Sequence, residues 1–423
     1  MSETSLNQVR DEQRTWSLQQ WLNYLESIHS KIIDMGLDRV NQVLARLELD
    51  FAGSQVITVA GTNGKGTTCV MLEQTALLLD KTVGVYSSPH LLDYRERVRI
   101  NGKMLSEKQH CEAFLAIEQA RQGTSLTYFE FGTLAGLYLL ARAQVQVVLL
   151  EVGLGGRLDA INVIDPDVAV ITGIALDHQD WLGDTREAIA VEKAGILRPG
   201  IKAVVGDPEP PATLRSAVEA QQSNALFQHA DFRNALISDS GWQWECGDVV
   251  LENLPLPCIP IQNASTAIAV MLQAGWPLSS SVISKGLKLA TLPGRYQVIA
   301  NAPRTLVDVA HNPQAISHLL EKIKAEQYQK LHLVVAMLAD KDIKGGLEPF
   351  NDLTAEWYVA SLGVPRGAKS STLASCLAGN AKVSEFETVN QAFEQAKCNA
   401  SEGDLIVVFG SFFTVAAVLQ GEG

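Results

Sequence analysis

The chain has 423 residues, 47% hydrophobic and 19% charged, a mixture that suits a globular protein of two domains. Its 34 basic and 47 acidic side chains leave a formal net charge of −13. That excludes the broad basic surface a non-specific nucleic-acid binder needs, while a local basic pocket for an anionic ligand stays open.

Met1 to Gln13 is polar, without the apolar core of a secretory signal. Leu18, Trp21, Leu22, Leu25 and Ile28 then recur at helical spacing behind Ser17, a good N-cap. A second amphipathic stretch carries Val40, Val43, Leu44 and Leu47. Val56 to Val59 is a short β-branched strand that ends in glycines, and Thr67 to Leu79 reads as the helix after it. Thr82 to Tyr86 is a strand, and Val98 to Ile100 followed by Asn101-Gly102 reads as a hairpin. Ser106 with Gln109 fits a capping box. Phe129 to Ala143 is helical, Val145 to Glu151 is an almost wholly apolar strand, and Val168 to Thr172 is another. Asp184 with Glu187 reads as a further capping box, opening a helix through Ala194, before a strand at Ala203 to Val205.

Residues 207 to 262 are rich in Pro, Asn and Ser, with Trp242 and Trp244 in a hairpin, and predict a small irregular β insertion. A second series starts near Gln297, with strands at Thr305 to Val309, Leu331 to Ala336, Trp357 to Ala360 and Leu405 to Phe409. The greasiest run, Leu405 to Leu419, falls short of the ~20 residues that cross a bilayer and reads as a buried strand running into a helix. Continuous apolar strands alternating with helices predict parallel sheets covered on both faces. Leu292-Pro293-Gly294-Arg295 is the natural hinge. The expected fold is therefore α/β, with a larger N-terminal parallel-sheet domain over 1–296, carrying the small β insertion, and a smaller Rossmann-like C-terminal domain over 297–423. The six cysteines are dispersed without a Cys-x-x-Cys pair, so reduced thiols in a cytoplasmic protein and no zinc site are expected.

The most informative segment is Ala60-Gly61-Thr62-Asn63-Gly64-Lys65-Gly66-Thr67, between a strand and a helix. Glycines let backbone N–H groups turn toward phosphates, and the helix N-terminus adds partial positive charge. Lys65 supplies a full charge and Thr67 a hydroxyl near a metal. The general P-loop pattern is not met, because Val59 stands where its first Gly belongs and Gly66 follows the Lys. Alone, the segment also reads as a glycine-rich turn with a solvated lysine.

This variant loop resembles that of the Mur ligase superfamily, and within it the folylpolyglutamate synthase family. The resemblance runs along almost the whole chain. It includes Ser87-Ser88-Pro89-His90-Leu91 leading to Arg95-Glu96-Arg97, Thr127 to Glu130, Glu151 to Ala160, Leu176-Asp177-His178 with Trp181-Leu182-Gly183, Glu192 to Ile196, Leu292 to Arg295, and Asp308-Val309-Ala310-His311-Asn312-Pro313.

The resemblance implies an ATP-dependent ligase that joins glutamate to a folate-type carboxylate through an acyl phosphate, with the domains closing on ATP to exclude water. Asn63, Gly64, Lys65, Gly66, Thr67, Asn263, Arg295 and Asp308 would bind the nucleotide. Ser88, Glu151 and His178 would bind magnesium. Lys193 would be carbamylated by carbon dioxide to hold a second ion, and a monovalent cation is an option. Lys65, Lys193 and His178 would be the catalytic set. Thr127, Tyr128, Phe129, Glu130, Leu158, Asp159 and Ala160 would meet the pterin-side substrate, and His311 and Ser411 the glutamate side.

Plainer readings stand beside these. Glu151 fits a salt bridge, His178 a loop cap, Asn263 an N-cap, Asp308 a cap beside Asn312-Pro313, and Tyr128 and Phe129 a core. The expected substrates are dihydropteroate, reduced folates, L-glutamate and ATP, with a monomer as default and no nucleic-acid or membrane partner. Two alternatives remain: a folylpolyglutamate synthase without the dihydropteroate activity, or another Mur-type amino-acid ligase. Against the latter, only about fifty residues precede the phosphate loop, too few for a separate nucleotide-sugar domain.

Overall fold

The computed structural model describes residues 11–31, 33–238, 241–377 and 382–421, so the polar opening segment lies outside the described residues as far as residue 10. The chain divides into two compact units, one holding residues up to 174 and 182–291, the other residues 175–181 and those from 292 onward.

In the first unit, Ser17 opens α1 (Leu18–Ser27) with a complete capping box to Gln20, and α2 (Asp38–Leu44) follows. Then come β1 (Gln55–Ala60), α3 (Lys65–Leu78) and β2 (Val83–Tyr86). The hairpin β3 (Val98–Ile100) and β4 (Lys103–Met104) turns through Asn101 and Gly102, both at positive φ as this tight connection demands. Ser106 and Gln109 cap α4 (Glu107–Arg121), and Thr127 and Glu130 cap α5 (Tyr128–Ala143). β5 (Val147–Glu151) and β6 (Val168–Ile171) lead, past the short α6 (Gln179–Leu182), to α7 (Arg186–Ala194). The cap of α7 differs from the sequence reading. Thr185, not Asp184, accepts from the Ala188 amide, because the helix starts one residue later.

The insertion is also more regular than expected. After β7 (Lys202–Val205), α8 (Ala212–Ala220) leads to β8 (Asn224–Phe227), which joins the main sheet. Only β9 (Phe232–Ser238), β10 (Gly241–Cys246) and β11 (Val249–Pro255) form the separate antiparallel sheet. Trp242 and Trp244 alternate along β10 and so share one face, where both are fully buried. The Trp244 indole donates to Ser265 O on α9 (Ile261–Gln273), and α10 (Ser280–Leu289) closes the unit.

The main sheet has the order β4-β3-β2-β5-β1-β6-β7-β8. Alternate residues of its central strands feed two cores: Val56, Ala60, Val148 and Leu150 on one face, Ile57, Val59, Val147 and Leu149 on the other. Adjacent strands β5 and β6 flank β1, so the chain leaves β1 to one side and later returns on the other. Ligands of open α/β sheets bind at such switch points, beyond the strands' carboxyl ends. For β1, β5 and β6 those ends are Ala60, Glu151 and Ile171.

The second unit contains β12 (Gln297–Asn301), β13 (Arg304–Asp308), α11 (Pro313–Ala325), β14 (Leu331–Val335), α12 (Ile343–Leu347) and β15 (Glu356–Ala360). It continues with α13 (Ser370–Cys376), β16 (Lys382–Phe386), α14 (Val389–Asn399), β17 (Leu405–Phe409) and α15 (Phe412–Gly421). The sheet order is β12-β13-β17-β14-β15-β16, parallel except for β12. Edge strands β12 and β16 went unread in the sequence because neither is fully buried. No helix among the described residues is long and apolar enough to cross a membrane.

Candidate active site

The loop after β1 is pinned from both sides. Thr62 N donates to Gly173 O at 2.8 Å, and the Thr172 hydroxyl donates to Asn63 O at 2.7 Å. Gly61 is required here: a Cβ on it would lie 1.7 Å from Thr172 Oγ1. Lys65 is the first residue of α3, and its Nζ donates to Gly61 O at 2.9 Å and Thr62 O at 3.1 Å. The ammonium is thus folded over the loop at the positive end of a 14-residue helix.

Asn263 is the third residue of α9 and not its cap. Its Nδ2 donates to Thr67 Oγ1 at 2.9 Å. Gly64, at φ 94, packs so closely on Asn263 that a Cβ would come within 2.5 Å of its Oδ1. The fold therefore joins Gly64 and Thr67 to Asn263, with Thr67 and Asn263 standing 196 residues apart.

Glu151 closes β5 with only 6% exposure, and its Oε2 accepts from Ser88 N at 3.3 Å. Two of the expected metal residues thus meet. Lys193 is buried on α7 at 3% exposure. Its neighbourhood is locked to the loop after β5: Arg157 N donates to Glu192 O, the Arg157 guanidinium pairs with Glu192, and Asn162 donates to Gly195 O. Gly156 leaves no room for a side chain against Glu192 O and Lys193 O.

The expected acceptor residues also come together. A Cβ on Gly153 would meet Phe129 Cζ at 2.4 Å and Asp159 Oδ2 at 3.3 Å. Several of them have architectural duties as well. Thr127 caps α5, and Glu130 completes the box and pairs with Arg39 at 2.8 Å. Asp159 accepts from Leu154 N and Ile161 N, and caps the short helical turn that begins at Ala160. Burial pushes its carboxyl up to about 6, against the pull of those amides. Leu158, one residue before it, is half-buried. Tyr128 lies under the Arg97 guanidinium, 5.6 Å from the ring centre, and meets the Tyr94 ring edge-on.

The second unit carries its own polar cluster. Asp177 sits on the segment 175–181 that packs with this unit. Lys341 Nζ donates to Asp177 Oδ1 at 2.5 Å and lies 3.5 Å from His178 Nε2. His311 Nε2 is 3.5 Å from Asp177 Oδ2, and Asn312 Nδ2 donates to the same oxygen at 3.2 Å. Burial alone would raise the Asp177 carboxyl, but His311, Lys341 and His178 together hold it well below the usual carboxylate range. His178 occupies a left-handed conformation at φ 53, its N–H on Asp177 Oδ1.

Asp308 accepts from Tyr296 N and Ala310 N at 2.8 Å each, and the helix at Asn312-Pro313 is capped by Asn312 rather than by Asp308, its side chain accepting from Ala315 N. Arg295 precedes Tyr296 in sequence, with its guanidinium 5.5 Å from the centre of the Phe412 ring. Ser411 is buried and accepts from Thr414 N at 3.0 Å. Sequence reading missed Thr172 and Lys341. Thr172 directly follows the carboxyl end of β6, and Lys341 lies in the loop that follows β14, on the side where ligand-facing residues of such sheets gather.

Models of the Mur ligase middle domain and of the Mur ligase glutamate ligase domain match residues 59–226 and 294–412. Over 413 residues the chain is 48% identical to the dihydrofolate synthase/folylpolyglutamate synthase of Escherichia coli (strain K12), covering 97% of each. Escherichia coli FolC in complex with DHPP and ADP matches with a TM-score of 0.93 and 46% identity, over 97% of this chain and 98% of that one. A bifunctional folylpolyglutamate synthase/dihydrofolate synthase with Mn, AMPPNP and L-glutamate bound matches with a TM-score of 0.91 and 46% identity, over 97% of this chain and 98% of that one. This chain belongs to the dihydrofolate synthase/folylpolyglutamate synthase family of Mur ligases.

Proposed function

We propose that this protein uses ATP to ligate L-glutamate to 7,8-dihydropteroate and to reduced folates. The observation that carries this reading is the phosphate loop, with Lys65 at the start of α3 and Asn263 locked to Thr67, in a chain similar over its length to that family.

A carboxylate resists attack by an amine, so it must first be activated. Lys65 and the N-terminus of α3 hold the outer phosphates and offset charge as the γ-phosphoryl group passes to the acceptor carboxylate. The glutamate amine then attacks the acyl phosphate, and phosphate leaves. Glu151 and Ser88, which meet in the structure, would hold magnesium through hard oxygen atoms of the kind this ion takes. That fits the observation that the described residues hold no ready cluster of three His, Cys, Asp or Glu. When bound, the ion neutralises phosphate charge. Lys193, buried beside the clamped loop, is the residue for a carbamate, and His178 a further ligand. Phe129, Tyr128 and Leu158 to Ala160 receive the pterin-side substrate, Arg295 and Asp308 serve the nucleotide, and His311 and Ser411 serve glutamate. The protein acts as a monomer.

The test is ADP release by purified protein with ATP, magnesium, glutamate and either 7,8-dihydropteroate or a reduced folate. Glutamate-dependent release with both acceptors is expected, and Lys65→Ala should abolish it while leaving the fold intact. Release with the folate alone would reduce the activity to polyglutamylation. Silence with both would remove the folate reading.

A further inference from the structure

Arg97 is a cation taken almost completely out of water without an acidic partner. Its side chain is 7% exposed. Nε donates to His90 Nδ1 at 2.9 Å, and Cζ lies 5.3 Å from the Tyr94 ring centre and 5.6 Å from that of Tyr128. Among the described residues no carboxylate lies within ion-pair distance of it. His90 Nδ1 accepts from the Arg97 Nε, so the histidine offers a lone pair, not a countercharge. A buried charge is costly unless it is paired or aimed at something charged.

The fold makes room for this arrangement deliberately. A Cβ on Gly132 would lie 2.8 Å from the Tyr94 hydroxyl, and one on Gly136 would lie 2.4 Å from Tyr86 Cδ2. Two glycines one turn apart on α5 thus admit the Tyr94 ring, over which Arg97 lies, and the Tyr86 ring. Tyr128, the other ring under Arg97, begins the same helix, next to Phe129.

We propose that Arg97 is the positioning residue that selects an anionic acceptor: it fixes the Tyr128 ring, and its unpaired charge attracts the acceptor's carboxylate at the pterin-side site. In a low-dielectric surrounding such a charge acts through the ring that covers it. The inference rests on the functional reading above, and it adds a specificity determinant that His90 and Tyr94 serve.

The test is equilibrium binding, which needs no turnover. Wild-type protein and the variants Arg97→Met and Arg97→Lys are titrated with pteroic acid and with its neutral carboxamide, and ATP binding is measured alongside. Wild type should prefer the acid. Arg97→Met should lose about tenfold in affinity for the acid with little change for the amide, the size of one lost charge-assisted contact, and ATP affinity should hold. Arg97→Lys keeps the charge without the planar stack, so it should keep the preference for the acid while binding both ligands more weakly. If acid and amide weaken equally in Arg97→Met, or ATP affinity falls in step, Arg97 is structural and the proposal is overturned. If Arg97→Met does not fold, Arg97→Lys decides: loss of the preference for the acid overturns the proposal. Wild-type protein that binds neither ligand would sink the functional reading itself, a result distinct from binding both without preference, which sinks only this inference.

Discussion

Gly64→Ala probes the phosphate loop most sharply, because two separate costs can be told apart. At φ 94 a side chain is disfavoured by about 1–2 kcal/mol whatever surrounds it. The new Cβ would also stand 2.5 Å from Asn263 Oδ1 and 2.9 Å from its Cγ and Nδ2. Asn263 must then give way, and its bond to Thr67 Oγ1 is lost, at about 1 kcal/mol. Together Gly64→Ala should cost about 2–3 kcal/mol. Asn263→Ala should cost about 1 kcal/mol by losing that bond alone. In the double variant the clash has no partner and the bond is already gone, so the total should stay near about 2–3 kcal/mol, roughly 1 kcal/mol below the sum. Urea denaturation with an unchanged m-value measures all three, with ATP affinity read alongside. ATP affinity should fall in every variant, because Thr67 is released in each. Strict additivity, within about 0.3 kcal/mol, would refute the claim that Gly64 and Asn263 form one unit.

Three further outcomes are expected. Lys341→Met strips the cation from a pair whose side chains are 6% and 8% exposed, so it should destabilise by about 3–5 kcal/mol, and adding Asp177→Asn should recover most of that. Asp177 is depressed, so its contribution is present above the ordinary carboxylate pKa and lost as pH falls through the folded value. In Lys341→Met that acid-side loss should begin at a higher pH, read from denaturation midpoints across the acid range. Asp159 has the opposite sign: raised to about 6, it contributes stability below its unfolded pKa that is lost as pH rises through 6. Relative to Asp159→Asn, wild type should therefore lose about 3 kcal/mol between pH 3 and pH 7, and an unchanged difference would contradict the assignment. Thr185→Ala should cost about 1 kcal/mol and Asp184→Ala less than about 0.5, so thermal melts of the two decide which residue caps α7.

What could be read from the sequence follows from the range of the interactions. The boxes at Ser17, Ser106 and Thr127 involve partners three residues apart, so their pattern is visible in the chain itself. At α7 the same rule pointed one residue astray, because Asp184 and Thr185 both offer a capping oxygen and only the backbone decides. β8 lay hidden inside a stretch whose Pro, Asn and Ser content suggested irregularity. Its pairing with β7 is set by the sheet and not by its own sequence. The phosphate loop declared itself through glycines, but the reason for Gly61 lies at Thr172, 111 residues on. Likewise the Asp177–Lys341 pair spans 164 residues, and neither partner is conspicuous alone. Arg97 stood in a recognised motif, yet its isolation from acids is a property of packing, which no spacing rule encodes.

The segment 175–181 leaves the first unit and returns to it, so the backbone passes between the units after residues 174, 181 and 291. The two units are therefore not independent modules in the genetic sense. A fragment beginning at residue 292 would carry Lys341 and His311 without the Asp177 carboxylate that organises them. A chimaera spliced at the hinge, with residues up to 291 from one relative and those from 292 onward from another, would inherit Asp177 and Lys341 from different parents. Recombination within this family is thus constrained at a heptapeptide far from the hinge, and successful hybrids should be those that move residues 175–181 together with the second unit.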